Sequence, residues 1–423
     1  MNLRKCAAFA IAAALSATPA FADGYAVYEV SARGVGMGGA MMFSDEASLV
    51  AYNPAAITQF GYNGTFSGAV TYIAPRGSAH FYDAGGNYIV GEHNKNDPAY
   101  VPSMFYAKRV AENGWIGIGL FPRFGLKSSY EYGWYGRFSN RSADFTTFSI
   151  TPTYAFKLAP SLSMSLGFEL MYANLDFDKS LNSFSSLGIS EVPMKVQGDG
   201  WACGWNLGLS WNATPKFSVA ALYRSEVKQN IKGDVDLSLG ALGDMSTYGY
   251  GNVRLPESYA FGLGWKFDDK TRMEVDAIRT NWSSYDSLDI RVGVPSAYQP
   301  ILSLFGLGSE LSDPMITNWS NGWRFQWGLE HKINKRWTVR CGFVWDECSS
   351  EQVDYSDFLV PTGTRRTYTV GASYRVKNVE YSLGYGYMTV GGKRINSGVN
   401  DGDYARTSGS DSHIISIGAR VDF

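Results

Sequence analysis

The sequence predicts an all-β protein: a transmembrane antiparallel β-barrel of about fourteen strands with an N-terminal hatch, or plug, inside it. Three observations lead there. An export signal is followed by no stretch able to cross a membrane as a helix. Side chains alternate between a lipid-like and a wet face. Connections alternate between tight turns and long loops.

The 423 residues are 45% hydrophobic and 15% aromatic, with 18% charged residues where about 25% is usual. That composition excludes disorder and suits a protein with one face against an apolar medium. A formal net charge of -2 provides no basic footprint, so nucleic acid is not an expected partner. Arg4 and Lys5, the apolar run Ala7 to Leu15 and the small-flanked Ala20-Phe21-Ala22 mark residues 1–22 as a secretory signal peptide cleaved before Asp23. Cys6 precedes the apolar run and cannot become a lipidated first residue. Cys203, Cys341 and Cys348 remain; an odd count is no disulfide framework, and a Cys341–Cys348 bridge or three free thiols are both open. No later window approaches the roughly 20 apolar residues of a spanning helix.

Residues 23–60 lack strand alternation and are rich in small residues, including Gly34, Gly36, Gly38 and Gly39, then Asn53-Pro54-Ala55. Gly34, Gly36 and Gly39 match G-x-G-x-x-G in form only, since no strand precedes them and no βαβ unit surrounds them. A compact plug with tight glycine turns inside a lumen is the expected structure.

Residues 61–423 read as the barrel. Trp323, Phe325, Trp327 and Leu329 alternate with Arg324, Gln326, Gly328 and Glu330; Tyr259 to Phe267 and Leu162 to Leu170 repeat the pattern. A soluble sandwich also alternates, but Trp201, Trp211, Trp265, Trp282, Trp323 and Trp337 at strand ends suit interfacial aromatic girdles. Six tight turns fall near residues 112–114, 159–161, 213–216, 268–270, 334–336 and 377–378. Seven long loops are expected near 77–97, 128–141, 179–196, 233–253, 292–320, 349–365 and 391–409. The last strand alternates up to Phe423, a terminal aromatic suited to engaging the barrel assembly machinery.

The runs Ala32-Arg33-Gly34, Gly38-Gly39-Ala40 and Asn53-Pro54-Ala55 resemble the N-terminal hatch of the FadL/TodX family of outer-membrane transporters for long-chain fatty acids and hydrocarbons. The resemblance continues at Leu255-Pro256-Glu257-Ser258, Asn281-Trp282-Ser283-Ser284-Tyr285, Trp323-Arg324-Phe325, Trp337-Thr338-Val339-Arg340, Arg365-Arg366-Thr367-Tyr368 and Phe423. It implies a fourteen-stranded barrel in the outer membrane of a Gram-negative bacterium. It also implies a hydrophobic small-molecule ligand that leaves sideways into outer-membrane lipid at a kinked third strand. Here that strand, Trp115 to Leu126, carries Pro122, which lacks a ladder donor, and Gly125, which permits a bulge; Pro152 on the fourth strand also lacks a donor. An ordinary barrel bulge is the alternative.

Phe184, Leu187, Leu239 and Leu242 lie in outer loops, where apolar side chains either cap the barrel or catch an apolar ligand. The family's carboxylate-binding cations correspond to the neutral Asn174 and Ser320, leaving Arg324, and more weakly Lys179, as replacement. Either Arg324 holds a fatty acid, or the ligand is a neutral hydrocarbon that needs no cation; the plainer alternative for Arg324 is a pairing with a wall carboxylate. Enzymatic readings are weak. His80, His93, His331 and His413 lack metal-ligand spacing, and Glu274 with Asp276 reads as solvated barrel wall. No cofactor or metal is expected. The competing function is a general diffusion porin, which a plug of this size would block.

Overall fold

In the computed structural model, the described residues are 24–182, 189–240, 243–285, 287–303, 308–360, 363–396 and 402–423. The fourteen staves of the barrel begin with β1 (Gly64–Tyr82), β2 (Ala99–Arg109), β3 (Gly114–Phe121, resuming as Gly125–Ser129), β4 (Ser142–Ala159), β5 (Leu162–Leu181) and β6 (Val192–Asn212). Next come β7 (Phe217–Arg224 and Val227–Ser238), β8 (Asp244–Leu255 and Ser258–Lys266), β9 (Thr271–Thr280 and Ser287–Gly293) and β10 (Glu310–Ile316 and Gly322–Lys332). β11 (Trp337–Asp346), β12 (Arg365–Val376), β13 (Val379–Val390) and β14 (Tyr404–Asp422) complete the wall. Closure is antiparallel, β14 pairing on β1 from Asp422 opposite Thr65 to Tyr404 opposite Tyr82. A closed wall leaves no edge of backbone donors in lipid, which is why a barrel can sit there at all.

The short turns share one end. Three are locked by a side-chain oxygen that accepts backbone N–H groups two and three residues on: Thr214 from Lys216 and Phe217, Asp268 from Lys270 and Thr271, Asn334 from Arg336 and Trp337.

The outer end differs from the sequence expectation. β7 runs to Ser238 and β8 begins at Asp244, so most of the expected 233–253 loop is strand; β5, β6 and β14 likewise extend into expected loops. The reason is an inversion of polarity. Between Trp211 and Trp201 the outer face of β6 carries Leu209, Leu207 and Trp205, a span that matches the roughly 9–11 residues of a tilted crossing. Beyond Trp201 that same face carries Asp199, Gln197 and Lys195, while the inner face becomes Val196, Met194 and Val192. β7 continues the change, with Lys228, Asn230, Lys232, Asp234 and Asp236 outside and Val227, Ile231, Val235 and Leu237 inside. The barrel therefore projects beyond the membrane as a tube that is wet outside and oily inside.

Residues 24–60 fill the lower lumen as α1 (Ala32–Gly36), α2 (Leu49–Tyr52) and a 3-10 turn at Pro54–Gln59. Ser31 caps α1, its Oγ accepting from Gly34 N at 3.2 Å and donating to Glu46 Oε1 at 2.8 Å. Gly38 and Gly39 have φ of 64° and 82°, and a Cβ on Gly39 would stand 2.4 Å from Gln326 Nε2. Their left-handed backbone lets the chain pass directly against β10 and β11. Asn53 Nδ2 donates to Met42 O at 3.0 Å, Pro54 opens the 3-10 turn, and Ala55 is wholly buried.

Charged groups tie this segment to the wall. Arg33 bonds Asp45 and, at 2.7 Å, Glu330; Glu330 also receives Arg340 at 2.6 Å and Arg272 at 3.0 Å. Glu274 and Asp276 are not solvated wall. They are buried beneath the segment and accept the backbone N–H groups of Phe43 and Met41, each at 3.3 Å. Strand phase aims both carboxylates inward, but only the folded segment shows that the lumen is filled at their level.

Candidate functional site

The upper lumen is lined by the inverted faces of the projecting staves. Leu175, Phe177, Met194, Ile231, Val235 and Leu239 belong to one buried apolar cluster that also contains Tyr25. Its floor is aromatic. The Tyr25 ring lies 4.7 Å from Trp282, 5.3 Å from Tyr285, and 5.9 Å from both Phe145 and Trp319, mostly edge-on. Trp282 and Tyr285 stand in the interruption of β9 and Trp319 in that of β10, so the breaks in these staves turn rings toward the axis. Gly24 (φ 59°) fits only because it lacks a Cβ, which would lie 2.6 Å from Trp282.

The third stave bends at the same level. Its ladder with β2 runs from Trp115 opposite Arg109 to Leu120 opposite Met104 and stops. The outer part of β2 from Ala99 to Ser103 pairs with β1 alone, and Gly125–Ser129 pairs with β4 alone. Lys95 N donating to Ser129 O at 2.9 Å closes this unpaired interval above. The bend itself turns inward onto residues 25–27: Gly125 N donates to Tyr25 O at 2.7 Å, Val27 N to Arg123 O at 2.8 Å, and Ala26 bridges Phe124. Outside, a groove of about 590 Å³ includes Gly68, Pro102, Met104, Leu120, Phe148 and Ile417 in its lining and reaches the corner where the β2–β3 ladder ends.

Pro122 lies in the break and Gly125 restarts the strand. Pro152 stands opposite Ile118, below the break, so it does not share the region of Pro122. The residue that does is Pro102: continuing the β2–β3 register beyond Met104–Leu120 would set Pro102 against Pro122. Neither has an N–H, so the ladder has no donor from either residue there.

The candidate charged and polar positions separate. Arg324 is buried, donates to Asp346 Oδ2 at 2.9 Å and to Glu29 Oε1 at 3.4 Å, and lies 4.4 Å from the Tyr28 ring centroid. It is thus engaged by a wall carboxylate and by the inner segment. Asn174 is exposed on the outer face of β5, between Thr146 and Asp199, and does not line the lumen. It shares strand phase with Leu166, Phe168 and Leu170, the lipid-facing set. Ser320 bonds Ser349 O through both its N and Oγ. Lys179 is buried inside β5 near Asp357 of an outer loop. Burial pushes the Asp357 carboxyl up, against two N–H donors, Val360 and Leu359, and against Lys393 and Lys179. Leu239 is buried in the upper apolar cluster, while Phe184, Leu187 and Leu242 lie outside the described residues.

Sequence reading missed Arg123, Glu169 and Tyr25. Arg123 Nη1 reaches past β4 to Glu169 Oε2 on β5 at 2.9 Å, both groups being buried. Its only sequence signal is a charge flanked by Pro122 and Phe124 at the expected break.

A family model described as outer membrane protein transport protein (OMPP1/FadL/TodX) matches residues 13–423. The chain is 23% identical over 436 aligned residues to the long-chain fatty acid transport protein of Escherichia coli K12, covering 92% of this chain and 93% of that one. It is 22% identical to outer membrane protein P1 of Haemophilus influenzae, covering 91% and 90%. Among solved structures, a Pseudomonas aeruginosa FadL homologue superposes with a TM-score of 0.81 at 18% identity, covering 95% of this chain and 100% of the other. The Ralstonia pickettii toluene transporter TbuX gives 0.71 at 18%, covering 94% and 99%.

Proposed function

Because the chain belongs to the OMPP1/FadL/TodX family of outer-membrane transport proteins, we propose that it takes up a hydrophobic small molecule through its oily upper lumen and releases it sideways between β2 and β3. Fatty acids and aromatic hydrocarbons, the cargoes named for its relatives, are the class expected. The observation that carries the reading is the polarity inversion. Apolar side chains inside strands that stand in water have no use as a lipid anchor, and they lead to the one level where the third stave leaves its neighbour. Residues 23–60 act as a hatch, so the ligand's way onward is lateral, into outer-membrane lipid. No chemistry is required of the protein; transfer proceeds by stepwise binding.

The cargo enters without a fixed charge, as a neutral hydrocarbon or a protonated acid. Arg324 is paired with Asp346 and Arg123 with Glu169, and an ionised carboxylate in this lining would be desolvated at a cost of several kcal/mol. Binding of oleate and of an uncharged long-chain analogue tests this: oleate binding is expected to weaken as pH rises while binding of the analogue stays level, whereas oleate preference abolished by Arg324→Ala would show that Arg324 receives the headgroup. A porin would instead show a large steady conductance for small ions.

A further inference from the structure

We propose that Arg123 is a positioning residue that holds the third stave bent inward and so keeps the β2–β3 interval open. The proposal rests on the lateral-release reading above and extends it to the residue that maintains the exit. Pro102 opposite Pro122 explains why the ladder is weak at this level, but weakness alone does not pull a strand toward the barrel axis.

Arg123 supplies the pull. Its guanidinium donates to Glu169 Oε2 at 2.9 Å on β5, to Ser225 O at 3.2 and 3.3 Å, and to Pro256 O at 3.2 Å. Ser225 and Pro256 sit in the interruptions of β7 and β8, where the ladder no longer occupies those carbonyls. One planar fork therefore satisfies a buried carboxylate and two carbonyls released on the far wall, a task suited to the several fixed donors of arginine. Glu169 is fixed in turn by Ser149 Oγ, which donates to Oε1 at 2.7 Å. The bend of β3 and the breaks of β7 and β8 are thus one device spanning the lumen.

The register provides the test. If β3 straightened, continuation of the Met104–Leu120 pairing would bring Ala99 opposite Gly125. In full-length protein with Cys203, Cys341 and Cys348 replaced by Ser, the pair Ala99→Cys with Gly125→Cys is oxidised in the membrane, with and without Arg123→Met. A bridge is expected in the Arg123→Met barrel and not in its Arg123 parent. In the same Arg123→Met barrel without the engineered cysteines, cargo uptake should fall at least tenfold while ligand binding to the upper lumen changes less than threefold. Bridging in both proteins, or in neither, would overturn the strut. Bridging confined to Arg123→Met with uptake undiminished would uphold the strut and overturn lateral release instead. Arg123→Lys covers failure of the Met variant to assemble. An ammonium beside Glu169 cannot span both carbonyls, so an intermediate bridge yield supports the proposal and a yield equal to the parent's opposes it.

Discussion

Buried charge sets the behaviour of the lower lumen residue by residue. Glu330 is the carboxylate shared by Arg33, Arg272 and Arg340, and Arg33 is the member carried by the inner segment. Glu330→Ala would leave Arg33 with Asp45, Arg272 with Glu274 at 3.7 Å and Arg340 with Glu380 at 3.5 Å, one carboxylate fewer in a buried site, a loss below the roughly 3–5 kcal/mol of a wholly broken buried pair. The expected outcome is a barrel that still assembles but releases its N-terminal segment at lower denaturant concentration, read by protease access to residues 24–60. Unchanged protection would mean that the glycine contacts with β10 and β11 hold the segment unaided. In the outer loops, Asp357 offers a pH probe. Burial raises its pKa in the folded loop, so its contribution is full below the unfolded value and is lost as pH rises through the folded one. Hydrogen-exchange protection of Leu359 and Val360, whose N–H groups it accepts, should fall over that window and stay flat in Asp357→Asn.

Strands reveal how much could be seen beforehand. Alternation from Trp323 to Leu329 and the six turns identify barrel strands because lipid demands a continuous apolar face. The projecting parts of β7 and β8 escaped the same reading because the apolar face there is the inner one, while the outer face, Lys228 to Asp236, looks like loop. Asn174 enters only through resemblance, as the counterpart of a ligand-binding cation, and its strand phase with Leu166 and Phe168 sets it on the outer face instead. Pro122 announced a break in β3, but Arg123's partners Glu169, Ser225 and Pro256 are far away in sequence, and only folding brings them together. If the inverted face carries cargo, Ile231→Lys, an ammonium among apolar side chains, should weaken binding of an uncharged long-chain ligand at least tenfold, about 1.4 kcal/mol or more. Equal affinity in a correctly folded variant would remove the upper lumen from the path.

At the scale of the molecule, the barrel joins two environments, with an oily tube standing in water above and a charge-locked core inside the membrane belt below. A solute entering from outside meets apolar walls first and a filled lumen next, so selectivity for hydrophobic cargo follows from the order of the two. Removing residues 23–60 should turn the barrel into an ion-conducting pore, measured in planar bilayers; conductance equal to the parent's would contradict a plug. The most direct test of sideways release is to obstruct the unpaired interval without touching the lumen above it. Uptake of a long-chain hydrophobic ligand is measured in Gly125→Phe barrels whose assembly and ligand affinity match the parent. Lateral release predicts at least a tenfold slower uptake at unchanged affinity, and uptake at the parental rate would contradict it.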